Sequence, residues 1–330
     1  MKNLRVLFLF VLSVTVLSCE NPFFKALLDK ENSVKPSLNA AGQGNTQTPL
    51  EPPPAPPPSG PGIFSFKTEN TNVTLKVQTS DNSALKVEGA SVTSIPGNGS
   101  EQTISGITSG NLVTVKAEEG VKIIKLHCDN NKMTEVNVYG CTALGELHCG
   151  NNKITELNVQ GCTALTKLWC EYNQLTSLNV QGLTALNELN CGNNQLNSLN
   201  VQGFTALMYL YCNNNQLNSL NVQGLTALRE VGCRNNKITE LNVQDCTALE
   251  WLSCYNNKLN EEAFILLFTD LPSRSSYSIK GTCHLYREAD PTEGNCTDFT
   301  LSPALQAAFN NAKAKNWKMY KFIDSVGAEI

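Results

Sequence analysis

The chain is 330 residues long, carries a formal net charge of −4 and holds 13 cysteines. That balance gives a nucleic-acid partner no electrostatic footing, because such binding is led by basic side chains against phosphate. No serine–histidine–acid order, H-E-x-x-H pair or glycine-rich phosphate loop is present, so no catalytic residue, cofactor or enzymatic role is expected.

Residues 1–18 read as an export signal. Lys2 and Arg5 supply a positive start, and the apolar run that follows covers 12 residues, 6–17. A bilayer span needs about 20, so the run fits a cleaved leader better than a membrane helix. Its end, Val16-Leu17-Ser18-Cys19, resembles the lipobox of bacterial lipoproteins, in which the cysteine becomes the lipidated first residue. That resemblance implies lipidation (palmitate among the acyl groups) at Cys19 and a membrane partner through the anchor.

Residues 19–62 form the anchor and linker. Eight of the chain's 14 prolines lie between Pro49 and Pro61. Such a run favours polyproline II at about 3.1 Å per residue, a spacer of roughly 40 Å. Residues 63–122 then alternate in the manner of strands, as in Val73, Leu75 and Val77, with turn material such as Pro96-Gly97-Asn98-Gly99 between them. They read as a β cap, covering the apolar layer and strand edge that a repeat array exposes at its first unit.

From residue 123 to about 260 a 21-residue unit recurs seven times without insertion or deletion. Cysteine marks it at Cys128, Cys149, Cys170, Cys191, Cys212, Cys233 and Cys254, and asparagine follows three residues later, from Asn131 to Asn257. A fixed period in the twenties signals a solenoid. Numbered from Leu144, apolar residues fall at positions 1, 4, 6, 11, 14 and 16. Positions 4 and 6 alternate with 3, 5 and 7, the period of a short strand, so each unit contributes one rung to a parallel sheet. A second triplet, Leu157-Asn158-Val159, suggests a short extended return on the opposite side.

The cysteine row reads as core. A straight row of parallel thiols does not converge as a tetrahedral zinc site must, and neighbouring parallel Cβ vectors suit a disulfide poorly. The asparagine row reads as a structural ladder that satisfies backbone groups of two rungs at once. The variable positions are 3, 5, 7 and 8, and they carry His127, His148, Trp169, Tyr172, Tyr209, Tyr211, Trp251 and Tyr255. A frame that copies itself while varying one aromatic-rich face reads as a binding surface, since aromatics with polar tips are enriched at interfaces. The candidate ligand-binding set is His148, Trp169, Tyr172, Tyr209, Tyr211, Trp251 and Tyr255. His127 and His148, with Asp129 nearby, present donors for a metal, but solvated sheet face is preferred and no metal is assigned.

Residues 261–330 change grammar. Asn260 reads as a helix N-cap with Glu261 and Glu262 in the first turn, and Leu271-Pro272 as its stop. Ser302-Pro303 opens a second helix to about Lys315. Residues 276–286 and 317–323 read as strands, which makes a small α/β C-terminal cap. Cys283 and Cys296 lie here, outside the repeats, and an exported compartment would allow a bond between them.

The repeated L-x-x-L-x-C-x-x-N-x-I resembles the leucine-rich repeat pattern. The chain as a whole resembles leucine-rich repeat lipoproteins of diderm bacterial surfaces, a group related in pattern to internalin-like and other leucine-rich repeat adhesins. The resemblance implies an α/β solenoid with a parallel sheet face, and a protein ligand from a host or a neighbouring cell, hence adhesion or virulence. It places the chain on the bacterial outer membrane, facing the surface or the periplasm. A glycan stacked on Trp169, Tyr211 and Trp251 is the second reading of the same face. If Cys19 is lipidated, Cys19→Ala will move the protein from the detergent phase to the aqueous phase on partitioning; an unmodified mature N-terminus by mass spectrometry would end the lipoprotein reading.

Overall fold

The computed structural model describes residues 60–288, 290–323 and 326–330. The export signal, Cys19 and the proline run up to residue 59 lie outside the described residues.

The repeats form a β-solenoid. Their rung strands are β7 (Ile123–His127), β9 (Glu146–His148), β11 (Lys167–Trp169), β12 (Glu188–Asn190), β13 (Tyr209–Tyr211), β15 (Glu230–Gly232) and β17 (Trp251–Ser253). Neighbours pair in parallel with no slip, so Trp169 faces His148 on one side and Asn190 on the other. In a strand of three residues the middle one turns inward. Leu126, Leu147, Leu168, Leu189, Leu210, Val231 and Leu252 are accordingly fully buried. Each buried branched side chain is worth about 1.5–3 kcal/mol, but only because the rungs on either side close over it. On the opposite side the return segments pair only at the two ends of the array: β8 (Met133–Asn137) with β10 (Glu156–Asn158), and β14 (Ser219–Asn221) with β16 (Glu240–Asn242).

The seven cysteines at position 6 are buried and free. Burial pushes the thiols of Cys149, Cys170, Cys191, Cys212 and Cys233 well above their ordinary range. They therefore stay protonated and pack as small apolar groups, since the thiolate is the reactive form. The asparagines three residues on join rung to rung. Asn194 Nδ2 donates to the carbonyls of Cys170 (3.0 Å), Cys191 (3.1 Å) and Gly192 (3.3 Å), while its Oδ1 accepts from Leu175 N at 3.0 Å. One amide thus serves four backbone groups on two rungs. The residue before it in the unit stands in the left-handed region in every rung, and in six of the seven it is asparagine, with φ between 52° and 61°. Asparagine tolerates that region better than most residues.

Both ends of the array are extended by non-periodic chain. At the start, β1 (Ile63–Thr68) pairs antiparallel with β8 and β2 (Asn72–Thr79) with β7. Asn131 fixes that join, its Oδ1 accepting from Thr74 N at 2.7 Å and its Nδ2 donating to Thr74 O at 2.6 Å. The remaining strands of this segment, β3 (Leu85–Glu88), β4 (Ser94–Ile95), β5 (Asn98–Ser105) and β6 (Leu112–Lys116), complete the two edges. At the far end α1 (Glu261–Asp270) is capped by Asn260, whose side chain accepts from Ala263 N, and α2 (Pro303–Ala314) by Ser302, which accepts from Leu305 N. Between and after them β18 (Gly281–Arg287) and β19 (Trp317–Ile323) add two parallel rungs to the main sheet, and β20 (Val326–Glu329) closes it antiparallel.

The bond that the sequence leaves possible between Cys283 and Cys296 is not formed. Cys283 pairs opposite Leu252 and points into the core, whereas the Cys296 thiol donates to Asp298 O at 3.4 Å. The strand that carries Cys283 prolongs the rungs, so its side chain joins the inward layer rather than the loop that carries Cys296.

Asn194→Ala will cost about 1–3 kcal/mol in urea unfolding, because it leaves buried backbone groups unpaired. Asn200 is exposed and its Oδ1 accepts a single surface bond, from Gln202 N, so Asn200→Ala will cost less than about 1 kcal/mol. Equal losses would mean that inside and outside are exchanged in the repeat.

Candidate functional site

Positions 3, 5 and 7 of each unit share the outer face of the sheet, so three columns of side chains run along it. In the first, lysine and glutamate alternate at the start: Lys125 Nζ lies 2.8 Å from Glu146 Oε2, and Lys167 Nζ 2.9 Å from Glu188 Oε1. Exposed pairs of this kind contribute about 0–1 kcal/mol each; their larger effect is to neutralise Glu146 and Glu188. From the fifth rung the column turns to Tyr209, Glu230 and Trp251.

The second column reads His127, His148, Trp169, Asn190, Tyr211, Gly232 and Ser253. The first three rings stack face to face. His127 and His148 have centroids 4.0 Å apart at 6°, and His148 and Trp169 4.2 Å apart at 7°. Burial, and then the neighbouring His127, hold His148 below the usual histidine range, which favours the neutral ring in the stack. Glu146 completes a trio with the two histidines, their ligand atoms all lying within 4.8 Å of one another. Stacking argues against a metal there. A lone pair lies in the plane of its ring, and one ion cannot sit in two parallel planes about 4 Å apart while bonding at about 2.1 Å. Asp129 is engaged elsewhere, its Oδ1 accepting from Gly150 N at 2.7 Å.

The stack stops at Trp169. On its other side stands Asn190, whose Oδ1 accepts from Gly192 N at 3.2 Å and so turns back to its own turn. Tyr211 does not fill the gap. It leans the other way, over Gly232, where an added Cβ would meet its ring at 3.1 Å, and its hydroxyl donates to Glu230. A shallow concavity of about 360 Å³ results, lined by Trp169, Tyr209, Tyr211, Asn190, Glu171 and Glu188.

Glu171 comes from the third column. Its Oε2 is buried and has no hydrogen-bond partner among the described residues. Desolvation, with Asp129 adding like charge, raises its pKa above the usual carboxylate range. Next in sequence, Tyr172 takes the left-handed position with φ 54°, where the other rungs have asparagine, and is 56% exposed. Of these residues of the third rung, Tyr172 alone replaces one that every other rung shares; Trp169 and Glu171 stand in columns that vary from rung to rung.

A second aromatic group closes the far end. Tyr211 meets Trp251 edge-on at 6.5 Å, Trp251 meets His284 at 5.6 Å, and His284 meets Phe322 at 4.9 Å. Tyr255 packs on Phe322 at 5.1 Å, with the Arg234 guanidinium 5.7 Å above its ring. Trp169, Tyr209 and Tyr211 thus border one concavity with His148 stacked behind Trp169, Tyr172 stands on the turn after that strand and is not among the lining residues, and Trp251 and Tyr255 belong to the second group. Sequence reading missed Glu171, His284, Phe322 and Tyr320, whose ring meets His284 edge-on at 5.6 Å. His284 looks isolated in the sequence because it falls 31 residues after Ser253, its neighbour in the column, rather than on the 21-residue beat. The alternation Cys283-His284-Leu285 was its only signal.

No family model matches the chain, and no curated protein matches it. Among solved structures, the functional domain of the internalin InlJ from Listeria monocytogenes, whose description includes a cysteine ladder, is 38% identical over 40% of this chain and 30% of that one, with a TM-score of 0.39. An internalin from Listeria monocytogenes, inlF, is 27% identical over 39% of each chain, with a TM-score of 0.37. A leucine-rich repeat domain of a Shigella effector is 19% identical over 62% of this chain and 83% of that one, with a TM-score of 0.44. The chain thus spans well under half the length of the internalin structures that it matches. Its own geometry settles the architecture: 21-residue turns, in-register parallel rungs and an asparagine amide shared between successive turns make residues 123–260 a leucine-rich repeat β-solenoid.

Proposed function

We propose that the outer face of the repeat sheet is a protein-binding surface, with Trp169, Tyr172, Tyr209, Tyr211, Trp251 and Tyr255 as its contact residues and His148 supporting Trp169 from behind. One observation carries the reading. Trp169 and Tyr172 are 37% and 56% exposed on a rung whose frame residues, Leu168, Cys170 and Asn173, are the same buried types as on its neighbours. Water-exposed aromatics that the frame does not use have a ready role in recognition, where tryptophan and tyrosine dominate the binding energy.

The backbone of Tyr172 supports the same reading. Holding a tyrosine rather than an asparagine in the left-handed region costs on the order of 1 kcal/mol, and strain of that kind gathers at functional sites. In this proposal the chain is an exported lipoprotein held at Cys19, presenting the solenoid at the outer membrane to a protein of a host or a neighbouring cell. The export signal and lipobox carry that part.

Trp169→Ala with Tyr211→Ala will weaken capture of a protein ligand at least about tenfold, hot-spot truncations typically costing 2 kcal/mol or more, while the melting temperature stays close to that of the parent. Unfolding of the double variant would show the row to be packing. A second test uses opposite signs. Tyr172→Asn restores the residue of the other rungs and will raise stability by about 0.5–1 kcal/mol, yet weaken ligand capture. A variant that gains stability with unchanged binding would remove Tyr172 from the surface.

A further inference from the structure

The side of the solenoid opposite the sheet carries a regular pattern of its own. Positions 15 and 17 of the unit are Asn and Gln in five consecutive rungs, from Asn158 and Gln160 to Asn242 and Gln244. The valine between them is buried on every one of these rungs, so by alternation both amides project outward. The middle of this side is also free of charge: residues 173–187, 194–208 and 213–228 contain no Asp, Glu, Lys, Arg or His.

Local bonds fix the direction of these amides. Asn200 Oδ1 accepts from Gln202 N at 3.1 Å, and the same bond recurs at 3.0–3.2 Å on the other four rungs. Gln160, Gln181 and Gln202 each donate through Nε2 to the Asn carbonyl of the next rung, at 3.0, 3.2 and 2.8 Å. Over rungs two to four this leaves a row of Asn Nδ2 donors beside a row of Gln Oε1 acceptors, both without a partner among the described residues. Further on the rows close on themselves, Gln223 Nε2 donating to Gln244 Oε1 and Asn242 Nδ2 to Gln223 Oε1. The return segments stay in step at both ends of the array, where β8 pairs with β10 and β14 with β16 in parallel.

A partner for these rows must repeat its own donors and acceptors at the step of the rungs. An extended peptide repeats its outward groups at about 6.6 Å and falls out of phase, whereas a second copy has the same step by construction. The uncharged middle also spares two copies the like-charge repulsion that the rest of an acidic surface would impose. We propose that this face pairs with the same face of a second copy, about a two-fold axis that runs along the solenoid between the two rows. That operation sets the Asn row of one copy against the Gln row of the other on the same rung. Asn200 Nδ2 then donates to Gln202 Oε1 of the second copy, and the reverse bond forms beside it. Five rungs at about 4.8 Å and roughly 20 Å of return segment give about 500 Å² on each copy, the low end for a specific contact. Amide bonds that replace bonds to water add little each, so the pairing is weak and reversible. Both solenoids point the same way, and their aromatic sheet faces remain free on opposite sides.

The test uses the full chain with Cys19→Ala, so that no acyl chain contributes to association. Sedimentation equilibrium between about 5 and 500 µM will show a reversible monomer–dimer step with Kd on the order of 100 µM. Asn200→Asp with Gln202→Glu sets carboxylate against carboxylate across the axis and will raise Kd at least about tenfold. Asn200→Lys with Gln202→Glu sets ammonium against carboxylate and will associate at least as tightly as the parent; an antiparallel pair would set lysine against lysine and lose the dimer. These residues are exposed or bonded only at the surface, so both variants will melt close to the parent temperature, and Asn179→Asp with Gln181→Glu repeats the test one rung away. A parent that stays monomeric throughout the range overturns the proposal. So does a dimer that survives both acidic pairs, or one that the lysine–glutamate pair fails to restore. Loss of the dimer in Trp169→Ala with Tyr211→Ala would move the contact to the sheet face and overturn it too. Saturable shifts of the Asn and Gln side-chain amide signals with cellohexaose in a monomeric parent would assign the rows to a neutral glycan instead.

Discussion

The side-chain amide three residues after each repeat cysteine is the interaction on which the remaining structure depends. A short rung followed by a tight turn leaves backbone groups facing inward, away from water, where an unpaired one costs about 1–3 kcal/mol. Asn194 meets four of them, on its own rung and the one before it. Asn173 and Asn215 repeat the pattern with distances that differ by about 0.1 Å. Because each amide bridges two rungs, it sets their register as well as their pairing. The left-handed residue just before it directs the chain through the turn. The cysteine three residues earlier provides the carbonyl that the amide binds, and its small side chain fills the layer beneath.

This frame leaves the outer face free to vary. The buried columns repeat almost unchanged from rung to rung, and they hold whatever lies at positions 3, 5 and 7 at a fixed pitch. Recognition groups are thereby spaced at multiples of about 4.8 Å on strands paired in one register. In the second column the consequence is a row of stacked rings with one place left open. Asn190 leaves room because its amide bonds to its own turn, and Gly232 leaves room for Tyr211 to lean away. The opening is therefore made by two small residues rather than by the aromatics that border it.

The ends of the array use the same physics with non-repeating chain. Asn295, inside the loop that follows β18, donates to Cys254 O at 2.9 Å and Leu285 O at 2.8 Å and accepts from Leu259 N at 2.9 Å. It fills the next place in the amide ladder without belonging to the repeat. At the other end Asn131 binds the backbone of Thr74 instead of an earlier rung. A solenoid rung exposes its amides to whatever strand comes next, so each terminal segment is shaped to meet a ladder that is already there. His284 enters the aromatic face by the same route, carried opposite Ser253 as β18 pairs with β17.

The 21-residue period, the inward cysteine and asparagine rows, the outward aromatic positions and both helix caps were legible in the residues alone. They follow from local rules: alternation in a strand, side-chain oxygen at a helix start, and identical units that must stack alike. What the sequence could not give was the relation between side chains 21 or 42 residues apart in a column, because that depends on which way each one leans. The free Cys283 and Cys296, the recruitment of His284 and Asn295, the gap beside Trp169 and the unpartnered oxygen of Glu171 were all decided at this level. None of them repeats, so no period announces them. Each is set by contacts with chain that is remote in sequence and adjacent only once the rungs have stacked.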